Sequence, residues 1–329
     1  MSCDEITMKK SRLCAIVGPN ASGKSDLAIA VAQHTGGEII SADSRQVYRG
    51  MDLGSGKVPG VVQENEGHNL MAFDRTFFCA PLISAGIRHW LIDMVDPRDP
   101  FTVAEYQQLA YALIDDMHRR GVVPVLAGGT GLYIRAVLDG LNFPQVPPDD
   151  PLREELEACS TEELTRRLLA RDPHAGNAVD LRNRRRMIRA LEILNNSHVS
   201  LAELKTTRPV PFESITLGIS MPREVLQERI RRRLMTRFEQ GMTEEIKVLL
   251  EKGVTGERLI SFGLEYRYIY LYLDGKLTYD VMVEDLYHAI CRFAKRQLTW
   301  FRKYGSVQWI SSTGEALLRI QEFLGTSGE

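Results

Sequence analysis

Eight consecutive residues near the start of the chain have the types and spacing of a phosphate-binding loop. The stretch fits the pattern G-x-x-x-x-G-K-[ST] and consists of Gly18, Pro19, Asn20, Ala21, Ser22, Gly23, Lys24 and Ser25. In such a loop the glycines let the backbone curl so that its N–H groups point at one anion. Lys24 would add a positive charge beside the phosphates, and the Ser25 hydroxyl could ligate Mg²⁺. The pattern predicts a bound polyphosphate, and it leaves open whether that polyphosphate belongs to a nucleotide.

Two further polar stretches directly follow apolar runs that are typical of buried strands. One is SADSRQVYRGMD at 41–52, and the other is the glycine-rich AGGTGLY at 127–133. Because reactive groups gather at the carboxyl ends of the strands in an open parallel sheet, Asp43 is expected beside the phosphate loop. Its carboxylate could accept a proton, hold Mg²⁺ through water, or only cap a helix. The glycines around Thr130 would let another chain or a ligand approach the backbone closely.

The elements that would position these residues alternate between apolar runs and helical patterns. Strands are predicted over residues 13–17, 38–42, 90–95, 122–127, 214–220 and 307–310. Helices are predicted after the phosphate loop, from an N-cap at Thr102 to about Arg120 with Gly121 ending it, and from about Tyr279. Continuous apolar strands separated by helices predict an α/β fold, with a parallel sheet flanked by helices on both faces. Residues 59–88 show no clean periodicity and are predicted to be a long surface excursion.

The strand pattern is interrupted after a proline-rich bridge at 141–148, which cannot continue a helix or a central strand. The residues that follow are short, charged helical segments over 152–159, 161–170 and 181–194. We therefore predict a first part of the core at 1–145, an inserted all-helical subdomain at 146–212, and the rest of the core with a basic helical C-terminal region at 213–329.

Composition excludes several classes of protein. The chain has 329 residues with 44% hydrophobic and 26% charged residues, which is ordinary for a globular protein. No apolar run approaches the roughly 20 residues of a membrane span, and the first ten residues are too polar for a signal peptide. The five cysteines are far apart and form no C-x-x-C pair, which argues against a zinc site or a disulfide framework. These features predict a cytoplasmic protein.

Positive charges form three clusters, although the net charge is only −2. Arginines are concentrated within residues 182–189 and 229–237, and arginines and lysines are concentrated within residues 292–303. Such concentration suits a phosphate backbone, whereas any single cluster is equally typical of a solvated helix face. In the third cluster helical spacing places Lys295 and Arg296 on one face, beside aromatic residues that suit RNA bases. Trp300 is assigned to the core.

In their order along the chain these motifs resemble the tRNA dimethylallyltransferase family, also called tRNA isopentenyltransferases. The resemblance covers most of the chain and rests on the phosphate loop and on the stretches 41–52, 91–97, 128–133, 189–192 and 295–302. No Cys/His zinc-finger pattern follows, so the resemblance is to the bacterial type. It implies transfer of a dimethylallyl group from dimethylallyl diphosphate to the N6 amine of an adenosine next to the tRNA anticodon, with release of diphosphate.

The resemblance also implies roles for individual residues. The phosphate loop and Arg233 would bind the diphosphate, and Mg²⁺ would bind at Ser25. Asp43 would take the proton from the amine, with Thr130 beside it in the catalytic group. The tRNA anticodon stem-loop would contact Ser44, Arg45, Gln46, Arg185, Arg186, Arg189, Lys295 and Arg296. The protein would act as a monomer, away from membranes.

Three stretches depart from the family pattern. Asn20 stands where the loop usually has Thr, and the segment between Lys57 and His89 is longer than usual. The sequence FGLEYR at 262–267 replaces the usual Gly-Tyr-Lys-Glu. The role of the long segment and the effect of Asn20 stay open at this point.

Three other functions share the phosphate loop. They are a small-molecule or nucleotide kinase, an isopentenyltransferase acting on free adenine nucleotides, and a scaffold that binds nucleotide without turnover. A kinase or an enzyme that acts on free nucleotides would not require three basic clusters. A scaffold without turnover would not require Asp43. The sequence therefore favours an RNA substrate.

Overall fold

A computed structural model of the protein describes residues 11–144, 146, 149–196, 201 and 206–325. The chain divides into two compact units, one formed by the described parts of Met1–Val137 and Pro211–Glu329, the other by those of Leu138–Val210. The second unit overlaps the inserted subdomain predicted at 146–212, and its first residue is Leu138.

The first unit is built on a central sheet that has eight strands within the described residues. The sheet order is β10-β9-β1-β8-β2-β7-β6-β3, parallel from β10 to β7 and antiparallel in the last two pairings. A separate antiparallel hairpin is formed by β4 and β5. The strands are β1 Ser11–Val17, β2 Glu38–Ala42, β3 Val61–Val62, β4 His68–Ala72, β5 Arg75–Cys79, β6 Leu82–Ser84, β7 Ile87–Trp90, β8 Pro124–Gly128, β9 Phe212–Ile219 and β10 Val307–Ile310.

Helices connect and cover these strands. In the first unit they are α1 Lys24–Thr35, α2 Val103–Arg119, α3 Gly131–Leu138 (whose last residue belongs to the second unit), α8 Arg223–Glu239, α9 Met242–Glu251, α10 Gly256–Phe262, α11 Leu264–Leu273, α12 Tyr279–Tyr304 and α13 Thr313–Leu324. The predicted N-cap Thr102 is confirmed, because its side chain accepts a hydrogen bond from the Glu105 N–H and Glu105 reciprocates in a capping box. In the part of the chain that the structure describes, no helix has the length and apolar character needed to cross a membrane.

Both faces of the sheet are covered, as the apolar strands predict. On one face α1 and α13 pack against the strands through a cluster that includes Cys14, Ile16, Val31 and Ile320. Leu13, which alternates with Cys14 along β1 and so points to the other face, is also completely buried. Helix α2 packs against β2 and β8. The predicted α/β fold with a parallel sheet flanked by helices is confirmed.

Two expectations about residues 59–95 are wrong. The predicted strand at 90–95 ends at Trp90, because the backbone at Leu91 and Asp93 is left-handed, with φ of 59° and 55°. Residues 59–88 are more than a surface excursion, because they supply β3, β6 and β7 to one edge of the main sheet. Only the hairpin of β4 and β5 stands apart from that sheet, and β4 packs against α2.

The second unit is helical within its described residues and has its own small core. Its helices are α4 Asp150–Ala158, α5 Thr161–Arg171, α6 Ala175–Ala178 and α7 Arg184–Asn196. Leu164, Leu168 and Met187 are completely buried in that core. The Glu192 side chain is buried too, and its carboxylate bonds the guanidinium groups of Arg153 and Arg189.

Candidate active site

Strand register brings three loops to one level at the carboxyl edge of the sheet. Val17 at the end of β1 and Ala42 at the end of β2 both pair with Gly128 at the end of β8. The phosphate loop, Asp43 and the Gly129–Thr130 turn therefore begin side by side. The turn and the Asp43 loop are also joined, because the Ser44 N–H donates to Thr130 Oγ1 at 3.1 Å and the Thr130 N–H donates to the Ala42 carbonyl at 3.2 Å.

The glycines at 128–131 admit close neighbours from the same molecule. A Cβ at Gly128 would lie 2.1 Å from the Ala42 carbonyl oxygen, so any side chain there would collide with strand β2. A Cβ at Gly131 would lie 2.7 Å from the ring of Trp300 on α12. The close approach predicted from these glycines is therefore made by β2 and α12. Trp300, assigned to the core from sequence, is half-buried there.

Gln297 on α12 connects the phosphate loop to the glycine-rich turn, and it was missed in the sequence. Its buried side chain accepts a hydrogen bond from the Asn20 N–H at 3.0 Å and donates one to the Gly129 carbonyl at 2.8 Å. One backbone N–H of the phosphate loop is thus directed at Gln297. The sequence signal was a polar residue on the helix face that also carries Ala294 and Phe301, both buried.

The phosphate loop leads directly into α1. Ala21 and Gly23 have left-handed backbones, with φ of 63° and 89°, which turns the chain back so that the helix begins at Lys24. The Lys24 ammonium bonds the Pro19 carbonyl at 3.3 Å. This geometry places the first N–H groups of a 12-residue helix beside a lysine, which is the usual arrangement for binding phosphate.

Positive charge is in excess around Lys24. Burial lowers the pKa of Lys24 to about 8; the Asp43 carboxylate opposes this shift, whereas Arg233, Arg237 and Arg45 add to it. Burial also lowers the pKa of Arg237 to about 10, and the neighbouring Arg233 contributes. Crowded and partly desolvated cations of this kind are stabilised by an anion between them.

A cavity of about 880 Å³ opens beside this cluster. Lys24 and Ser25 line it together with four arginines of α8, Arg229, Arg232, Arg233 and Arg237. The cluster at 229–237 was interpreted from sequence as suited to a phosphate backbone, but most of it faces this cavity. Arg231 is the exception, since it pairs with Glu284 on the surface at 2.6 Å.

Two carboxylates that sequence reasoning did not single out, the buried Glu265 and the half-buried Glu245, hold this region together. Glu265 is 1% exposed and bonds Arg45 at 2.8 Å and Arg237 at 3.5 Å. Glu245 accepts the N–H groups of Asp52, Leu53 and Gly54 at 2.6–3.1 Å, which fixes one wall of the cavity. Burial raises the pKa of Glu245 despite these hydrogen bonds. Both residues looked like ordinary helix glutamates in the sequence.

The three predicted tRNA contacts that follow Asp43 are largely engaged within the protein. The Arg45 guanidinium is buried against Glu265, which does not favour a direct contact between this side chain and RNA. Gln46 accepts from the Ser41 hydroxyl at 2.9 Å and donates to the Gly56 carbonyl at 3.3 Å. The half-buried Ser44 is held through its backbone by Thr130.

The remaining predicted tRNA contacts are mostly exposed. Lys295 and Arg296 lie on the exposed face of α12 in the first unit. In the second unit Arg185 and Arg186 are exposed on α7, whereas Arg189 is half-buried and bonds Glu192 and the Val146 carbonyl. The RNA-binding role of these residues stays a prediction.

The chain is similar to known proteins over nearly its whole length. A family model described as IPP transferase matches residues 80–304, and one described as isopentenyl transferase matches 11–95. The tRNA dimethylallyltransferase 2 of Shewanella sediminis is 37% identical over 98% of this chain and 100% of its own. The tRNA dimethylallyltransferase 1 of Syntrophus aciditrophicus is 42% identical over 88% of this chain and 89% of its own.

Solved structures agree with this similarity. The full-length tRNA isopentenylpyrophosphate transferase of Bacillus halodurans superposes with a TM-score of 0.66 at 35% identity, covering 96% of each chain. A eukaryotic dimethylallyltransferase acting on tRNA superposes with a TM-score of 0.78 and covers 97% of this chain and 80% of its own. At 22% identity the second likeness concerns the fold alone.

Proposed function

The chain belongs to the IPP transferase family, which includes the tRNA dimethylallyltransferases, and we propose that it transfers a dimethylallyl group to tRNA. The donor is dimethylallyl diphosphate, the acceptor is the N6 amine of an adenosine adjacent to the anticodon, and free diphosphate is released. The observation that carries this proposal is the placement of Asp43 and Thr130 at the same sheet edge as a phosphate loop surrounded by partly buried cations.

The phosphate loop lowers the barrier to departure of the diphosphate. As the allylic C–O bond breaks, negative charge grows on the leaving diphosphate oxygen. Lys24, Arg233 and the N–H groups at the start of α1 are already in place to stabilise that charge, without reorganising water. Because Lys24 is partly buried among these cations, it interacts with the developing charge more strongly than it would in water.

The oxygen ligands near the loop suit Mg²⁺. Ser25 and Asp26 line the cavity, as do Asp52 and Asp93, whose carboxylates are paired with the Lys57 ammonium. Mg²⁺ commonly binds through one or two protein oxygens together with substrate phosphates. At Ser25 it would supply further stabilisation of the departing diphosphate.

Asp43 is positioned to remove the proton that the amine must lose. An adenine amine is a weak nucleophile because its lone pair is delocalised into the ring, so a base must act as the N–C bond forms. The Asp43 carboxylate accepts a hydrogen bond from the Arg45 N–H at 3.0 Å, and Thr130 Oγ1 accepts one from the Ser44 N–H. These two bonds fix the orientation of the Asp43 carboxylate. The electron pair of the broken C–O bond leaves with diphosphate, and the proton passes to Asp43.

The acceptor must present an unstacked adenine to this site, as in other enzymes that act on a base. Exposed Lys295 and Arg296 offer positive charge to the RNA backbone from α12, and Arg185 and Arg186 offer it from α7. These contacts would position the anticodon stem-loop without reading its sequence.

One incubation separates this proposal from its rivals. The protein is mixed with Mg²⁺ and labelled dimethylallyl diphosphate, and separate samples contain bulk tRNA, AMP, or ATP with small-molecule acceptors. We expect label in tRNA alone. Label in AMP would identify an enzyme for free nucleotides, and phosphoryl transfer from ATP with unmodified tRNA would identify a kinase. Samples with excess EDTA test the requirement for Mg²⁺.

A further inference from the structure

Arg237 lines the diphosphate cavity, yet neither the phosphate-loop pattern nor the family resemblance assigns it a role. It lies one helical turn after Arg233 on α8, and both residues face the same cavity as Lys24. Their guanidinium groups also meet at one point, since a Cβ on Gly56 would overlap both. Arg233 donates to the Gly56 carbonyl at 3.2 Å. The N–H donors of two adjacent guanidinium groups therefore converge beside the phosphate loop.

Most of the hydrogen-bonding capacity of Arg237 is unused. A guanidinium carries five N–H donors, and within the described residues the Arg237 group bonds only Glu265 Oε1, at 3.5 Å. Its side chain is only 12% exposed, so bulk water satisfies the remaining donors poorly. A ligand rich in acceptor oxygens, placed in the cavity, would meet those donors.

Glu265 fixes where this group points. Its carboxylate is 1% exposed and lies between two guanidinium groups, with Oε2 on Arg45 at 2.8 Å and Oε1 on Arg237. Removing such a buried carboxylate would leave two arginines without their shared partner. Glu265 belongs to the stretch FGLEYR, which departs from the usual family pattern.

The charges leave room for one more anion. Lys24, Arg45, Arg233 and Arg237 are four cations in one region. Among the described residues, the carboxylates of Asp43 and Glu265 act on both Arg45 and Arg233, and Asp26 acts on Arg233 as well. A diphosphate group would neutralise the remaining positive charge. Arginine also suits this ligand, because its planar fork can bond two phosphate oxygens at once.

We propose that Arg237 binds the diphosphate of the prenyl donor beside Lys24 and Arg233, and that Glu265 positions its guanidinium for this contact. The identity of the donor rests on the proposed function, whereas the diphosphate contact does not. Arg237 is thus a ligand-binding residue, and Glu265 is a positioning residue that acts through it.

Calorimetric titration with inorganic pyrophosphate, at fixed Mg²⁺ and salt, tests the contact directly. Arg237→Met removes the guanidinium and keeps an unbranched side chain, and we expect roughly 10- to 100-fold weaker binding. Arg231→Met is the matched control, because Arg231 lies on the same helix but pairs with Glu284 outside the cavity. Unchanged affinity in Arg237→Met, with an unchanged unfolding midpoint, would overturn the proposal. Arg237→Lys, which keeps the charge without the fork, should recover only part of the affinity.

Glu265→Gln separates positioning from simple charge balance. Removing a negative charge near the site would by itself tighten pyrophosphate binding, whereas releasing Arg237 should weaken it about threefold to tenfold. In the double variant Arg237→Met/Glu265→Gln, we expect no further loss beyond Arg237→Met, because Glu265 acts through Arg237. Tighter binding in Glu265→Gln, or fully additive losses, would refute the positioning role.

Transfer assays then distinguish the two proposals. If the wild-type protein prenylates tRNA, Arg237→Met should raise KM for the donor and leave KM for tRNA unchanged. An equal rise in both would contradict a role at the diphosphate. If the wild-type protein transfers no prenyl group but its pyrophosphate affinity still depends on Arg237, the proposed function fails and the diphosphate contact is upheld.

Discussion

Replacing Gln297 with leucine should disconnect the two halves of the active site. Gln297 is the side chain through which α12 holds both the phosphate loop and the turn that leads to Thr130. Leucine has a similar size but makes no hydrogen bond, so the substitution removes both bonds and adds little steric change. It leaves the Asn20 N–H and the Gly129 carbonyl without their partner.

The magnitude follows from those two groups. A buried polar group that loses its partner costs about 1–3 kcal/mol. With two such groups, and with water able to reach the half-exposed Asn20 side, we expect the free energy of unfolding to fall by about 2–4 kcal/mol. Turnover should fall further than binding, because an error of about 1 Å in the placement of reacting groups can lower a rate about 10²-fold.

Three measurements on the same variants test this reasoning. Urea unfolding gives the stability, pyrophosphate titration gives the state of the phosphate loop, and single-turnover transfer to tRNA gives the chemical step. Gln297→Glu keeps an acceptor for the Asn20 N–H but loses the donor to Gly129 and adds a negative charge, so pyrophosphate affinity should suffer most in that variant. Thr299→Leu, at an exposed position of the same helix, controls for stability and pyrophosphate binding. Normal stability and turnover in Gln297→Leu would show that the bridge is dispensable.

Three shorter predictions concern the charged residues. Asp43→Ala should lower turnover by about 10²–10⁴-fold while tRNA and pyrophosphate bind normally, and a normal single-turnover rate would remove Asp43 from the role of base. Because burial lowers the pKa of Lys24 to about 8, this ammonium loses its proton as the pH rises through that value, and pyrophosphate should bind more weakly at pH 9 than at pH 7. At pH 8 the binding should also take up protons, measured by calorimetry in buffers of different ionisation enthalpy, and an equal uptake in Lys24→Met would assign it to another group. Arg296→Ala should weaken binding of all tRNAs alike and reduce the slope of log affinity against log salt by about 1, whereas an unchanged slope would place this face of α12 away from RNA.

The parts of the fold that local sequence could predict are those that local interactions decide. The phosphate loop, the strand before it and the helix after it follow from glycine positions and apolar runs, and Thr102 predicts the start of α2. The strand at 90–95 failed because an apolar run reports burial and carries no information on backbone dihedral angles, and the chain turns at Leu91. The short edge strands β3 and β6 have too few residues for a period to show, and they form because β6 pairs with β7 and β3 pairs with β6.

The sequence by itself determined which chemical groups this protein has and that the ends of β1, β2 and β8 would meet. The parallel pattern alone placed the phosphate loop, Asp43 and Thr130 at one edge, and the strand register has them there. Only the tertiary structure decided the partners of those groups. Arg45 donates a hydrogen bond to Glu265, which is 220 positions away in the sequence, and the Asn20 N–H donates one to Gln297, which is 277 positions away. No local pattern encodes such pairs, because a buried charge or amide takes its partner from whichever element the packing of the sheet and helices brings beside it.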